Sequence, residues 1–483
     1  MPAPFPHSAA PDYDAVVVGS GPNGLAAAIT LAQAGARVHV IEGKSTLGGG
    51  MRTLDLTLPG FRHDMCSAIH PLAQASAFFR ALPLSEYGLE WIHPPIEIAH
   101  PLHDEDGGTA FITRSVEETA AALGDPGYAR TMGPLAAHTE TLLDSFLGPF
   151  SLTGTLRHPL HVAGFGVQAL LSARLYARLA YTTVRGRAAF AGCAAHSLLT
   201  LDHPASAAFG LLLAMLAHHV GWAIPRGGSQ AIADALVAYA RTLGVTFETG
   251  RMIADLDELP TARAVVLDVT PHQLLGIAKN RLPAGYRSAL RRFRYGPGVF
   301  KLDYALDGPI PWRDSRIAEA GTVHLGGTLE RIAESEAALW QNRAPEHPYI
   351  LLAQQSLFDA TRAPAGGHTA WVYCHVPNGD PVDMRDRIER AIEAHAPGFR
   401  ARVLGVAVHN APAMQAYSPN YVGGDVNGGV QDLFQLFTRP LPQLDPYRTP
   451  LHGVYLCSSS TPPGGGVHGM CGMWAARSVL KRL

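Results

Sequence analysis

Along this chain of 483 residues, apolar positions fall in blocks that switch between continuous runs and helical spacing. Val16-Val17-Val18 is the kind of run that a strand buried on both faces requires, and Leu25-Ala26-Ala27-Ala28 opens a helix directly after it. Arg37 to Ile41 predicts the next strand. Helical spacing then governs Ser115 to Leu152, with Glu117 and Glu118 in an early turn, and continues over Ser151 to Val184 and Ala205 to Ile224. A helix to about Leu243 is followed by strands at Val245 to Glu248 and Ala264 to Leu267. Further strands are expected at Val299 to Ala305 and His368 to Val376, with a helix from Met384 to Ala396 between them and the end of the chain. Gly453 to Cys457 reads as a last buried strand before an alanine-rich closing helix. Alternation of strands and helices at both ends predicts an α/β fold with a parallel sheet. The middle predicts a mixed-sheet domain and a helical cap.

The junction between the first strand and helix carries the most chemistry. In Gly19-Ser20-Gly21-Pro22-Asn23-Gly24, the first glycine permits a tight turn and the second lets backbone approach a pyrophosphate. The third lets helix and strand pack closely, while amides at the helix start face the anion. The second strand delivers Glu42 eighteen residues after Gly24, where a carboxylate can accept from a ribose diol. Glu42 disfavours a phosphorylated ribose and leaves NAD and FAD both open. A second glycine turn, Leu47-Gly48-Gly49-Gly50-Met51-Arg52, has no use in a plain NAD dehydrogenase and favours FAD. So does Pro463-Gly464-Gly465-Gly466-Val467-His468-Gly469-Met470, a second helix start whose partial positive charge would stabilise a reduced flavin. Gly164-Phe165-Gly166 imitates the fingerprint, but no strand precedes it and no acid closes the unit.

These segments, in this order, resemble the phytoene desaturase and amine oxidase superfamily of FAD enzymes. The likeness is greatest to the phytoene dehydrogenase-like branch called pyridine nucleotide-disulphide oxidoreductase domain proteins. Pro59 to Asp64, Pro225 to Gln230, Asp268-Val269-Thr270-Pro271, Arg362-Ala363-Pro364 and Asn420 to Asp425 carry it through the rest of the chain. The resemblance implies that Gly19, Ser20, Gly21, Pro22, Asn23 and Gly24 hold the pyrophosphate, Glu42 the adenosine ribose, and Lys44, beside Gly43, the ribose or adenine edge. It implies further that Gly49, Gly50, Met51 and Arg52 lie by the diphosphate or ribityl chain, that Ile253 offers backbone to adenine, and that Val467, His468, Gly469 and Met470 face the flavin. Two departures stand out. Gly50 stands where relatives have arginine, so that cation is missing or supplied by Arg52, and Met65-Cys66-Ser67-Ala68 replaces a Gly-Pro pair.

The domain organisation expected is a disordered arm over 1–12, FAD-binding segments at 13–80, 221–275 and 413–483, a helical cap and substrate region at 81–220, and a substrate-binding mixed sheet at 276–412. A net charge of −2 supplies no basic stripe for nucleic acid. The five cysteines include no C-x-x-C, so a reduced, cytoplasmic setting is expected and dithiol chemistry is not. The 23 histidines show no zinc-ligand spacing, and no metal is expected. Arg157, Arg174, Arg178 and Arg185 among apolar residues suit either a cap with snorkelling arginines or a peripheral membrane contact.

In such an enzyme the flavin accepts a hydride and the protein supplies position and electrostatics. Candidates to hold a proton or orient substrate are His468, Asp64, His70, Tyr373, His375 and Asp425, with His468 foremost because the resemblance puts its backbone beside the flavin. Asp64 and Asp425 equally suit turn fixing, and Tyr373 and His375, alternating on one strand face, equally suit core. The expectation is an FAD-dependent desaturase, dehydrogenase or redox-neutral isomerase of an apolar, polyene or isoprenoid-like substrate, with oxygen or a quinone as acceptor. The alternatives are oxidation of a smaller amine or alcohol, and a non-catalytic flavin-binding protein.

Overall fold

Two sheets, built on different apolar patterns, organise the chain. The computed structural model describes residues 11–103, 106–148 and 159–483. Residues 1–10 of the expected arm, and Arg157, lie outside the described residues.

The first sheet is parallel throughout, in the order Val454–Leu456, Ala262–Leu267, Tyr13–Val18, Val38–Ile41, Thr246–Glu248. Its strands are short apolar runs because both faces are covered. Ala15, Val17, Val38 and Val40 point into one hydrophobic cluster, and Val16, Val18, Ile41, Val265 and Leu267 into another. Against the first face lie the helices Pro22–Gln33, Gln230–Thr242 and Met470–Leu480. The first and last of these touch at backbone distance: a Cβ on Gly472 would stand 1.8 Å from the Asn23 carbonyl oxygen.

The second sheet has seven strands in the order Val403–His409, Gly298–Leu306, His368–Val376, Ile350–Ala353, Ala320–Leu325, Ile96–His100, Ala110–Ile112. All its pairings are antiparallel except that of Ile96–His100 with Ala320–Leu325. One face, carrying Phe300, Leu302, Leu352, Val372 and Cys374, closes a second core with the helix Arg385–His395. The opposite face carries Val299, Lys301, Leu351, Trp371 and Tyr373 and lines a cavity.

The span 81–220, expected as a helical cap, also supplies this sheet's two edge strands, Ile96–His100 and Ala110–Ile112. They are too short for their apolar pattern to separate strand from helix. The cap itself is a series of helices ending in Val184–Ala195 and Ala207–His219, and Trp91–Ile92 pairs with Ile224–Pro225 to close it off. The apolar stretch at Ala207–His219 is a 13-residue core helix, and among the described residues no helix is long and apolar enough to cross a membrane. Gly164 to Ala169 falls inside the helix Pro159–Ala169, so its glycines form no phosphate turn.

Gly472→Ala is expected to cost about 3 kcal/mol in urea denaturation, because backbone rather than a movable side chain blocks the methyl group. Gly276→Ala, with open space at its Cβ, is expected to be neutral or to stabilise by up to about 1 kcal/mol.

Candidate functional site

The turn between the first strand and helix has the form the motif demands. Gly19 has φ +99°, a conformation costly to other residues, and its N–H bonds the Ile41 carbonyl at 2.8 Å. A Cβ on Gly24 would stand 2.1 Å from the Gly19 oxygen. Gly21 caps the helix without a side chain, and Pro22 occupies its first turn, where a missing N–H costs nothing. The second glycine turn lies directly over the first, with the Cβ position of Gly49 2.6 Å from the Gly21 Cα.

Glu42 directly follows the second strand and is nearly buried, at 8% exposure. It accepts from the Ser20 N–H at 3.0 Å, the Ser20 hydroxyl at 2.5 Å and the Lys44 N–H at 2.9 Å, and pairs with Arg52 at 3.1 Å. A carboxylate has about four lone-pair sites, so a ribose diol would reach Glu42 only by exchanging with one of these. Arg52 also donates to Thr46 and to the Gly49 carbonyl, bracing the second glycine turn from behind. A Cβ on Gly50 would lie 2.7 Å from the Tyr421 hydroxyl. Lys44 rests its ammonium over the Tyr417 ring at 5.3 Å. The Cβ position of Gly43 abuts Met252, while Met51 and Ile253 are buried in the cores.

A cavity of about 320 Å³ runs from this turn to the mixed sheet. Gly21, Pro22, Asn23, Asp268, Ser459 and Val467 line its nucleotide end, and Lys301, Trp371, Tyr373, Trp222, His196 and Tyr421 its far end. The buried Asn23 Oδ1 and Thr270 Oγ1 lack partners near the glycine turn. Closely approachable backbone at the glycine turn, the buried carboxylate of Glu42 behind it and the unpaired polar atoms beside the cavity are features that residues holding FAD would present.

Of the candidates for proton handling, His70 and Tyr373 line the cavity. Ser229 Oγ donates to the Ser67 carbonyl at 2.7 Å, so His70 Nε2, 2.8 Å from that Oγ, carries the proton and its partnerless Nδ1 holds a lone pair. Burial pushes His70 down to about 4, so the ring is neutral at pH 7. Asp64, His375, Asp425 and His468 stand outside the cavity wall. Asp64 accepts from Thr53 at 2.6 Å and the Ser229 N–H at 2.8 Å and pairs with Arg362 at 2.7 Å. Burial would raise its carboxyl, but the Arg362 guanidinium and these donors hold it below its usual range. Asp425 gathers the Gly296, Asn427 and Gly429 N–H groups at 2.8 to 2.9 Å. His375 is locked to Glu336 at 2.9 Å. His468 accepts from the Met470 N–H at 3.0 Å and bonds the Gly464 carbonyl at 3.2 Å, tying down the closing loop. Gly469 abuts Phe78 and Ala26, and Met470 starts the last helix.

Sequence reasoning missed Lys301 and Asp268. Lys301 is 2% exposed, and its ammonium bonds Asp303, two residues along the same strand face. A lysine and an aspartate two apart inside the apolar run Gly298–Leu306 were the available signal. Register then sets Lys301, Tyr373, Leu351 and His324 in one row across the sheet. Burial pushes Asp303 up to about 6, against the pull of Lys301. Among the described residues no group of three or more His, Cys, Asp or Glu could hold a metal, and all five cysteines are free thiols.

Residues 17–82 match the NAD(P)-binding Rossmann-like domain family. The chain is 27% identical to pyridine nucleotide-disulfide oxidoreductase domain-containing protein 2 of Rattus norvegicus, over 98% of this chain and 94% of that protein. It is 26% identical to the all-trans-zeta-carotene desaturase of Myxococcus xanthus, over 94% and 90% of the two chains. An oxidoreductase from Methanosarcina mazei superposes with a TM-score of 0.63 at 17% identity, covering 97% of this chain and 100% of that one. A putrescine oxidase bound to putrescine superposes at 0.60 and 17% identity, covering 97% and 99%. These structural likenesses establish the fold: a parallel Rossmann-like sheet joined to a separate mixed sheet.

Arg362→Met is expected to destabilise the protein by about 4 kcal/mol, because it strands the buried Asp64 charge. The loss should shrink as pH falls and Asp64 protonates, and the double variant Asp64→Asn/Arg362→Met should recover most of it in urea denaturation.

Proposed function

We propose that this chain is an FAD-dependent oxidoreductase that dehydrogenates an apolar substrate. The observation that carries this reading is the continuity of one cavity from the glycine turn to an aromatic wall on the mixed sheet. Residues Gly19 to Gly24, Glu42, Gly49 and Val467 would hold FAD, which when bound supplies a hydride acceptor. Leu213, Leu351, Trp371 and Met414 would position an apolar substrate and exclude water. The Lys301 ammonium, fixed by Asp303, would hold a proton at Nζ, and His70 would accept one at Nδ1. Their place on the cavity wall favours them over His468, whose ring is spent on the loop.

The likeness to a carotene desaturase supports an isoprenoid-like substrate. The cavity volume of about 320 Å³ lies near the small end of ligand pockets and includes space beside the glycine turn. It supports a second reading, a smaller amine or alcohol. Electrons would leave to oxygen or a quinone.

The purified protein is expected to show a flavin absorption spectrum, to release FAD in acid and to bleach anaerobically with short isoprenoid alcohols or apolar extracts. A colourless protein that takes up no FAD would refute the reading. Lys301→Met should keep the flavin and slow its reduction by roughly 100-fold.

The cap supplies a further proposal: that it rests on a membrane surface. Leu160, Val167 and Leu179 are 85%, 70% and 71% exposed, and the half-exposed Arg178 beside Leu179 pairs with Glu330 at 3.1 Å. Flotation with anionic liposomes should fall several-fold in Leu160→Glu/Leu179→Glu; equal flotation would remove the membrane contact.

A further inference from the structure

Several backbone donors around the glycine turn are already engaged. Ser20 N–H goes to Glu42, Leu25 N–H to the Gly21 carbonyl, and Pro22 has none. Gly24 N–H, in the first turn of the helix, goes to Asp268 Oδ2 at 3.0 Å. Asp268 follows the strand Ala262–Leu267, which pairs with the first strand, and its own N–H bonds the Val18 carbonyl at 2.8 Å. That anchor drives the side chain into the turn. A Cβ on Gly21 would stand 2.8 Å from Asp268 Oδ2, one on Gly24 3.2 Å from it, and one on Gly19 3.0 Å from Asp268 Cβ. The glycines that admit a diphosphate therefore admit this carboxyl too. Because Gly21 caps its helix without a side chain, Asp268 is the cap, brought from another strand.

A carboxylate here competes with a diphosphate for the same positive end of the helix. Asp268 lines the cavity beside Gly21, Pro22 and Asn23 and is 8% exposed, so water screens the encounter poorly. The groups acting on it offer no relief. Glu42, just after the strand Val38–Ile41 on the far side of the first strand, repels it, and no lysine or arginine is among the groups that shift it. From the far side come Cys457, at the end of the strand Val454–Leu456, and Cys471, on the last helix. Both thiols are pushed up by burial and stay neutral. Arg52, the nearby cation, is committed to Glu42.

We propose that Asp268 is a proton-coupled gate to the dinucleotide site: it holds its carboxylate against the glycine turn, beside the position a diphosphate would take, and takes up one proton when the dinucleotide binds. The protonated carboxyl then donates to a phosphate oxygen instead of repelling it. This rests on the FAD reading above. Burial, reinforced by Glu42, pushes Asp268 up to about 7 against the pull of the Gly24 N–H, which puts the coupling in the neutral range. The sign follows. In the free protein the folded-state value lies above the unfolded one, so the stability Asp268 contributes at low pH is lost as pH rises through about 7. Two added phosphate charges raise the group further, so affinity is greatest below that pH and falls above it.

The test is isothermal titration of the apoprotein with FAD, in buffers of different ionisation enthalpy. At pH 8 the wild type should take up close to one proton per FAD bound, and its Kd should weaken about tenfold from pH 7 to pH 8.5. Asp268→Asn keeps an acceptor for the Gly24 N–H; it should bind with no proton uptake and a flat Kd. The apoproteins supply a second measurement without cofactor: the wild type should lose thermal stability relative to Asp268→Asn between pH 6 and pH 8. Wild-type binding without proton uptake would overturn the proposal. So would affinity that rises with pH, which would mean that an ionised Asp268 accepts from a ribityl hydroxyl. Failure of both proteins to bind FAD at any pH would instead remove the FAD reading, and the gate with it.

Discussion

Backbone meeting backbone at the start of the first helix is the constraint on which the rest of the molecule depends. Gly24 lies against the Gly19 carbonyl, Gly49 against Gly21, and Gly472 against the Asn23 carbonyl. Segments from the beginning, the second glycine turn and the far end of the chain thus converge on one point, at separations no side chain tolerates. The parallel sheet and the helices Pro22–Gln33 and Met470–Leu480 can only assemble together, and the nucleotide end of the cavity is what their convergence leaves open.

Around that point the protein buries several carboxylates, and each is accommodated differently. Glu42 is neutralised by Arg52 and saturated by backbone donors. Asp64 has a full guanidinium partner and a hydroxyl. Asp425 has N–H groups alone and knots a loop. Asp303 shares the mixed sheet with Lys301, while its second oxygen stands 3.7 Å from His63 without a hydrogen bond. Asp268 has one N–H and a like charge nearby. The better a carboxylate is paired, the more firmly it serves architecture. The least satisfied ones face the cavity or adjoin its wall, where an added proton changes what the site can bind.

The mixed sheet sorts its residues by strand period. Phe300, Leu302, Val372 and Cys374 go to a dry core, and Lys301, Trp371 and Tyr373 to the cavity. A one-residue slip in any central strand would exchange those sets, so the second core and the cavity wall hold each other in register.

Local physics decided everything whose cause lies within a few residues. The strand, glycine turn and helix at Val16 to Gly24, the acid at Glu42, the closing helix and the two-sheet α/β plan were legible because turn sterics and apolar period act over short distances. The edge strands at Ile96–His100 and Ala110–Ile112 were not, since short apolar runs become strands only when a partner such as Ala320–Leu325 offers its edge. The candidate site divides the same way. The glycines announced themselves, whereas the loop hydrogen bonds that engage His468 and Asp425 could not be read from their local sequence. Lys301 and Asp268 acquired their places only through the fold, because which side chains share a cavity depends on register between strands tens to hundreds of residues apart. Burial, charge and proton affinity are properties of that assembled neighbourhood, and no stretch of sequence contains it.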